Sequence, residues 1–282
     1  MGVPLWCKSN YSFLEGASHP EELVEAAAAL GLPGLALTDR DGVYGVVRAH
    51  RRARELGLPL LLGAEVTLED ATRLVVLAAD RGGWGHLCRL LTAGRREAPK
   101  GQSRVSYAQV AAHAEGLMAI WGGPGSRLLA EAPPVHEAAL LREAFGDRLF
   151  ALVTRHLLPR DARDEARTRE RAARWGLPIV AGTEVRYHDP ARAPLQDVLT
   201  CLRHGLPLQA AGSRLAANAE HGLLAPAALA ARFADDPAAL ARTHEVAARC
   251  RFSLDQLRYR YPAEHLPDGT STFEHLRALA EA

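Results

Sequence analysis

The stretch Leu30-Gly-Leu-Pro-Gly-Leu-Ala-Leu-Thr-Asp39 is the first of three copies of one sequence phrase. The phrase returns as Leu56-Gly-Leu-Pro-Leu-Leu-Leu-Gly-Ala-Glu65 and as Trp175-Gly-Leu-Pro-Ile-Val-Ala-Gly-Thr-Glu184. In each copy a helical pattern stops at a glycine, a proline follows two residues later, and a short apolar run ends in an acid. The pattern predicts a helix that leads into a buried strand, and its repetition predicts an α/β fold.

Four more apolar runs have the composition of strands, so the sequence predicts seven strands; these four are 3–8, 73–79, 117–122 and 148–154. Helical spacing is found between most of them, in segments 20–30, 45–56, 84–94, 106–114, 137–145 and 161–175. Nearly continuous apolar strands covered by helices are typical of parallel sheets, and the order favours a barrel-like fold. An open doubly wound sheet is the alternative, but no GxGxxG motif follows the first strand.

The strand pattern ends near residue 190, which divides the chain into two predicted regions. Residues 1–190 are expected to form the barrel core. Residues 191–282 are expected to form a helical extension with helices at 193–204, 226–234 and 236–250. An extended connector and one more helix are predicted within 259–282. Since the last residues still have helical spacing, the sequence is expected to be part of a longer chain.

Composition indicates a globular cytoplasmic protein. The chain of 282 residues has a formal net charge of +1, so it carries no overall electrostatic signature of nucleic-acid binding. No apolar run approaches the ~20 residues of a membrane span, and no secretory signal is visible. The four cysteines form no CxxC pair, which favours reduced thiols over disulfides or a zinc site. Lys8 and Lys100 are the only lysines.

The ends of the predicted strands are rich in carboxylates and arginines and poor in histidine. In a parallel barrel, functional groups gather at the carboxyl ends of the strands. Asp39, Glu65 and Glu184 occupy equivalent places in the three copies of the phrase, and Arg40 and Arg186 lie beside them. The pattern predicts a shared pocket. The alternative is that each acid caps a helix or forms a local salt bridge.

Several motifs point to one family. They include Trp6-Cys-Lys-Ser-Asn-Tyr-Ser-Phe-Leu-Glu15, Ala36-Leu-Thr-Asp-Arg-Asp-Gly-Val-Tyr-Gly-Val-Val-Arg48 and Asp197-Val-Leu-Thr-Cys-Leu-Arg-His-Gly205. With these and further matches along nearly its whole length, the chain resembles the N-terminal PHP (polymerase and histidinol phosphatase) domain of bacterial error-prone DnaE-type DNA polymerases. These C-family enzymes act in translesion synthesis, a part of DNA replication and repair. The resemblance implies a distorted seven-stranded TIM-like (β/α)7 barrel.

The resemblance also implies a set of metal-site positions. Metal-binding PHP domains hold up to three metal ions in a ring of His, Asp, Glu and Cys ligands and hydrolyse phosphoesters. In this chain the ring positions fall on Trp6, Lys8, Glu15, Arg40, Glu65, Arg73, Gly123, Glu184 and Arg186. Only the three glutamates among them retain a metal-binding side chain, because lysine and arginine carry a positive charge and arginine has no free lone pair.

We therefore interpret the pocket as a degenerate metal site. Lys8, Arg40, Arg73 and Arg186 are expected to stand in for the metal ions by pairing with four acids: Glu15, Glu65, Glu184 and Asp39. Neither catalytic residues nor a cofactor are expected; zinc, manganese or iron would be found if this interpretation is wrong. A relict site of His156, His188 and Glu184 is the weaker alternative, since lone histidines near strand ends are more often structural.

The resulting functional hypothesis is a structural scaffold within an error-prone polymerase. A metal-dependent phosphoesterase or 3′–5′ exonuclease is one alternative, and an anion-binding or DNA-end-binding module is another. The resemblance implies contacts with the downstream palm, thumb and fingers of the same chain. Mutasome proteins and the sliding clamp would be partners of the full-length chain, DNA would be contacted indirectly, and no membrane partner is expected.

Overall fold

Within the part of the chain that the structure describes, the sheet has six strands, each built from one of the apolar runs. The computed structural model describes residues 2–258 and 269–281. The strands occur in chain order across the sheet: β1 (Leu35–Leu37), β2 (Leu60–Thr67), β3 (Arg73–Ala78), β4 (Leu117–Gly122), β5 (Leu149–Thr154) and β6 (Ile179–Gly182). Nearly every residue in them is buried, as the continuous apolar runs predict.

The prediction of an all-parallel sheet is wrong at β3. This strand pairs antiparallel with both β2 and β4, whereas the β1–β2, β4–β5 and β5–β6 pairs are parallel. The cause is the short link between β2 and β3, which joins Thr67 to Arg73 as a hairpin, because a parallel crossover needs a dozen or more residues. Arg73 therefore lies at the end of the sheet where the parallel strands finish.

The seventh predicted strand, residues 3–8, does not form a continuous strand. Cys7 forms isolated parallel bridges with Leu37 and with Val185, so this segment lies between β1 and the chain that follows β6. Lys8 N donates to Val185 O at 2.9 Å, and Thr38 N donates to Cys7 O at 2.8 Å. The segment has too few regular backbone hydrogen bonds to form a strand, but its backbone is hydrogen-bonded to the chain on both sides.

Glycine ends the helix before β1, β2 and β6, as the repeated phrase predicts. Gly31, Gly57 and Gly176 have φ values of 68°, 67° and 64°, the left-handed conformation that glycine adopts without a side-chain penalty. The predicted helices of this region are all present: α1 (Pro20–Ala29), α2 (Val46–Leu56), α3 (Arg81–Arg96), α4 (Tyr107–Ala112), α5 (Val135–Phe145) and α6 (Asp161–Trp175).

The part after residue 190 is helical, in agreement with the sequence. Its helices are α7 (Ala193–His204), α8 (Pro226–Arg232), α9 (Pro237–Arg249) and α10 (Thr272–Glu281). Phe233 and Leu240 are buried with Val153 and Ala181, so α8 and α9 pack beside β5 and β6. The connector predicted within 259–268 lies outside the described residues. In the described part of the chain, no helix has the length and apolarity needed to cross a bilayer.

Candidate functional site

Lys8 lies at the centre of a ring of three carboxylates. Its side chain is fully buried, and Nζ is 3.2 Å from Glu15 Oε2, 2.7 Å from Glu65 Oε2 and 2.7 Å from Glu184 Oε1. An ammonium group has three hydrogens and no acceptor, so it has one hydrogen for each carboxylate. A tethered cation therefore occupies the point at which the three acids converge. We call these four residues and the arginines that pair with the acids the ion network.

Backbone hydrogen bonds hold the acids and the lysine at the same end of the sheet. Glu65 N donates to Asp39 O at 3.0 Å, which ties β2 to the chain after β1. Lys8 N bonds to the residue that follows Glu184, and Ala17 N donates to Arg186 O at 2.7 Å. Glu15 comes from the loop of residues 9–16, which the last of these bonds closes. The network thus joins chain segments that are far apart in sequence.

The predicted arginines form an outer layer around the acids. Arg40 pairs with Glu15 through Nη1, and its Nε lies 3.4 Å from Glu65 Oε1. Arg73 Nη1 lies 3.5 Å from Glu65 Oε1 and 3.8 Å from Glu184 Oε1. Arg186 Nη2 lies 2.7 Å from Glu184 Oε2. The ion pairs expected between these cations and the three glutamates are present.

Trp6 and Gly123 also belong to this pocket. Trp6 Nε1 donates to Glu65 Oε2 at 2.7 Å, and the Lys8 ammonium lies 5.2 Å from the centre of the indole ring. A Cβ atom on Gly123 would stand 2.6 Å from Trp6 Cζ3, so the glycine leaves room for the indole. The tryptophan therefore fills space and supplies one hydrogen bond.

Asp39 does not join the network as an ion-pair partner, so this expectation is corrected. Its carboxylate accepts hydrogen bonds from Ser9 N, Ser9 Oγ and Ser12 Oγ, each at 2.7 Å. Among the described residues no basic nitrogen lies within 4.0 Å of it. The serines of the 9–16 loop supply the hydrogen bonds that this carboxylate needs, and they lie closer to it than any cation. The carboxylate in turn fixes the conformation of the loop.

Two residues at the ion network were missed in the sequence, an arginine that belongs to it and a histidine that lies beside it. Arg203, at the end of α7, pairs with Glu15 through Nη1. His221 donates from Nδ1 to Glu184 O at 2.9 Å, and burial and the charge of Arg186 lower its pKa to about 3, so it is neutral at physiological pH. Arg203 lies within one of the family motifs, but nothing in the local pattern indicates that α7 reaches the mouth of the sheet.

The two histidines proposed as a relict site have separate structural roles. His156 is buried, accepts a hydrogen bond from Glu184 N at 2.9 Å and stacks on His221 at 4.3 Å between ring centres. His188 is bonded to Ser18 Oγ at 2.7 Å. Within residues 2–258 and 269–281, no three His, Cys, Asp or Glu side chains form a group arranged to hold a metal ion.

The network changes the acidity of its own carboxylates. Burial acts to raise the pKa of Glu184, but Arg186 and Lys8 outweigh burial and hold that pKa well below its ordinary value. The pKa of Glu65 is lowered in the same way, against burial, by Lys8 and Arg73. Burial lowers the pKa of Lys8, with Glu184 and Glu65 acting in the opposite direction. Both glutamates are therefore ionised at neutral pH.

These shifts predict an acid-labile network. Because the folded-state pKa of Glu184 is depressed, its stabilising contribution is present above its ordinary value of 4.5 and is lost as pH falls through the folded value. Urea unfolding at a series of acidic pH values should show the free energy of unfolding falling below pH 4.5. Burial raises the pKa values of Asp39 and Asp41, so their contributions to the free energy of unfolding change with pH in the opposite direction. The Glu184→Gln variant should therefore have a shallower acid slope; parallel slopes would contradict the prediction.

Arg186→Met is expected to destabilise the protein less than loss of the central lysine. Glu184 would keep Lys8 at 2.7 Å and Arg73 at 3.8 Å, so its charge stays partly compensated. We expect the free energy of unfolding to fall by about 1–3 kcal/mol, the cost of leaving a buried polar partner unsatisfied. Thermal and urea unfolding measure the change. An unchanged melting temperature would show that this ion pair is not part of a coupled network.

Comparison with known proteins shows which family and which curated proteins this chain is similar to. Residues 5–140 match the PHP domain family. Error-prone DNA polymerase from Rhodopirellula baltica is 39% identical over 98% of this chain, and error-prone DNA polymerase from Aromatoleum aromaticum is 43% identical over 98%. The chain spans about a quarter of the length of these curated relatives, 25% and 26% respectively.

A solved structure has a similar fold. It is an amidohydrolase from Chromobacterium violaceum with bound sulfate and no metal, which is 18% identical with a TM-score of 0.50. The match covers 66% of this chain and 88% of that chain. At this identity the likeness concerns the fold alone.

Proposed function

This chain belongs to the PHP domain family through residues 5–140, and from that premise we propose that it is a structural PHP domain of an error-prone DNA polymerase without phosphoesterase activity of its own. One observation carries the proposal. Lys8 Nζ lies within 3.2 Å of all three carboxylates of the pocket. A cation that the chain itself supplies thereby occupies the place at which these acids would bind a metal ion.

The residues present do not fit a divalent metal ion. A metal bound by Glu65 and Glu184 would have to displace an ammonium group that is 2.7 Å from each. It would also meet three guanidinium groups, which cannot donate a lone pair and would repel it: Arg40, Arg73 and Arg186. With Arg203, the network has five basic side chains for three acids. This excess of positive charge supports a structural role for the pocket.

The finer architecture forms part of the same proposal. We regard residues 3–8 as the seventh member of a distorted TIM-like barrel, since Cys7 bridges both Leu37 and Val185. We also assign residues 1–190 to the barrel core and 191–282 to the helical extension. In this view the network acts as a clamp at the mouth of the barrel, where it connects the N-terminal segment, β2, β3 and the chain after β6.

The relatives support a proposal for the role of this domain in a longer protein. They are error-prone DNA polymerases about four times as long as the matched region, so further polymerase domains of the same chain are the natural partners of this one. We propose that the domain scaffolds those palm, thumb and fingers domains during translesion synthesis and repair in the cytoplasm. Contacts with the sliding clamp and mutasome proteins would be made by the full-length polymerase.

Metal analysis tests the proposal directly. After incubation with Zn²⁺, Mn²⁺ or Fe²⁺ and removal of unbound ions, the purified protein should retain far less than one metal ion per chain. It should also fail to hydrolyse bis-p-nitrophenyl phosphate. Stoichiometric metal together with hydrolysis that EDTA abolishes would overturn the proposal. The Glu65→Gln variant is the control, because metal held elsewhere on the protein would be unaffected by it.

A further inference from the structure

Three exposed aromatic side chains lie close to the ion network, in positions that neither the fold nor the network requires. Phe13 is 82% exposed, Tyr44 is 62% exposed and Tyr11 is 36% exposed. Scattered single apolar residues on a surface need no explanation, but these three line two cavities that share residues. The cavities therefore bring exposed aromatic rings together on one face.

The two cavities form one continuous surface, which we call the rim groove. The larger has a volume of about 430 Å³ and contains Tyr11 and Phe13. The smaller has a volume of about 380 Å³ and contains Tyr44. Asp41 and Arg95 line both, so the cavities adjoin. The groove as a whole is lined by five arginines: Arg40, Arg95, Arg96, Arg104 and Arg203.

The acids of the rim groove already have ion-pair or hydrogen-bond partners within the protein, whereas several of its basic side chains are exposed to solvent. Glu15 is nearly buried and pairs with three basic side chains. Asp41 accepts bonds from both Thr67 N and Thr67 Oγ1 at 2.7 Å. Arg96 and Arg104 are exposed and form no ion pair within the described part of the chain. The groove therefore presents net positive charge in a protein whose overall charge is only +1.

The loop that carries Phe13 is fixed before any ligand binds. Asp39 accepts three buried hydrogen bonds from Ser9 and Ser12, and Leu14 has a φ of 58°, which is unfavourable for a leucine. The neighbouring Phe13 is thus held outward by a loop that its surroundings constrain. Because the backbone that carries the ring is already ordered, stacking of a flat partner on Phe13 does not have to order the loop as well.

We infer that the rim groove binds single-stranded nucleic acid, with bases stacked on Phe13 and Tyr44 and phosphates paired with Arg96 and Arg104. A groove lined by both aromatic rings and cations has the two features that recognise unpaired strands, because every base has a π-face and every nucleotide a negative charge. In a duplex the base faces are covered, so duplex DNA can use only the arginines. The inference goes beyond the proposed function and does not depend on whether the pocket binds metal.

Fluorescence anisotropy with a labelled thymidine oligonucleotide of about twelve nucleotides tests the inference. Phe13→Ala and Tyr44→Ala should each weaken binding about fivefold or more, which is the lower limit for loss of one base stack. Arg104→Glu should weaken binding and reduce the slope of log K against log salt by about 0.7, the value for one phosphate contact on a single strand. All three side chains are exposed, so the variants should remain folded.

Matched controls separate the groove from general surface effects. Phe273→Ala removes an exposed ring of α10 that lines neither cavity, and Arg174→Glu reverses an exposed charge at the end of α6; both should bind like the unaltered protein. A duplex of equal length should bind more weakly at the same salt concentration. The inference is overturned by absence of oligonucleotide binding, by groove variants that bind normally, or by equal affinity for the duplex.

Discussion

Replacement of Lys8 by methionine should lower the free energy of unfolding by about 3–5 kcal/mol, the cost of removing one partner from a buried ion pair. Methionine has nearly the same length and volume, so the change removes charge and leaves packing almost intact. Glu15, Glu65 and Glu184 would then face one another without the ammonium group that separates them. Their mutual repulsion in a buried site is the physical reason for the large effect.

The outer arginines do not replace the lysine at Glu65, although Glu15 and Glu184 keep their own arginine partners. Arg40 and Arg73 approach Glu65 only at 3.4 and 3.5 Å and from the partly exposed side of the network, whereas Lys8 Nζ is 2.7 Å away and fully buried. The Lys8→Met variant should regain part of its stability when Glu184→Gln is added. The coupling between the two sites, measured by a double-mutant cycle, should be clearly different from zero.

Lys100→Met is the matched control, because Lys100 is the only other lysine and is exposed. Urea unfolding at neutral pH compares the two variants. The control should change the free energy of unfolding by less than about 0.5 kcal/mol, as is usual for surface positions. Equal stability of the two variants would mean that Lys8 is dispensable and that the network is not organised around it.

Replacement of Gly83 by alanine should destabilise the protein by about 3 kcal/mol, the upper part of the usual range for overpacking. A Cβ atom at Gly83 would lie 1.8 Å from Gly116 O, which is backbone and cannot rotate away. That carbonyl also accepts a 2.9 Å hydrogen bond from Ala79 N, directly after β3. The helix would have to move away from the β3–β4 edge, with loss of this bond and of packing beneath α3.

Gly85 in the same helix provides a control, because the same substitution there should change the stability in the opposite direction. A Cβ atom there would meet only the guanidinium of Arg89, at 3.6 Å or more, which is an ordinary contact with a flexible side chain. Gly85→Ala should therefore stabilise the protein by up to about 1 kcal/mol, the difference in helix propensity. Urea unfolding of both variants measures the two effects. Destabilisation by both would indicate that alanine is disfavoured along this helix for a reason other than the contact with Gly116.

The sequence alone determined much of the secondary structure, because its signals are local. The glycine near the start of each repeated phrase and the apolar run after it predicted the helix ends before β1, β2 and β6. The acids at the ends of those runs predicted where a pocket would lie. These features depend on propensity, on capping and on periodicity, which are properties of neighbouring residues.

Other features were decided only by the tertiary structure, because they depend on which distant segments meet. The direction of β3 follows from the short hairpin before it, and that direction brings Arg73 to Glu65. The central place of Lys8, the exclusion of Asp39 and the arrival of Arg203 from α7 result from competition among charges for positions in space. A sequence shows which charges are available, whereas distance and burial decide which of them pair.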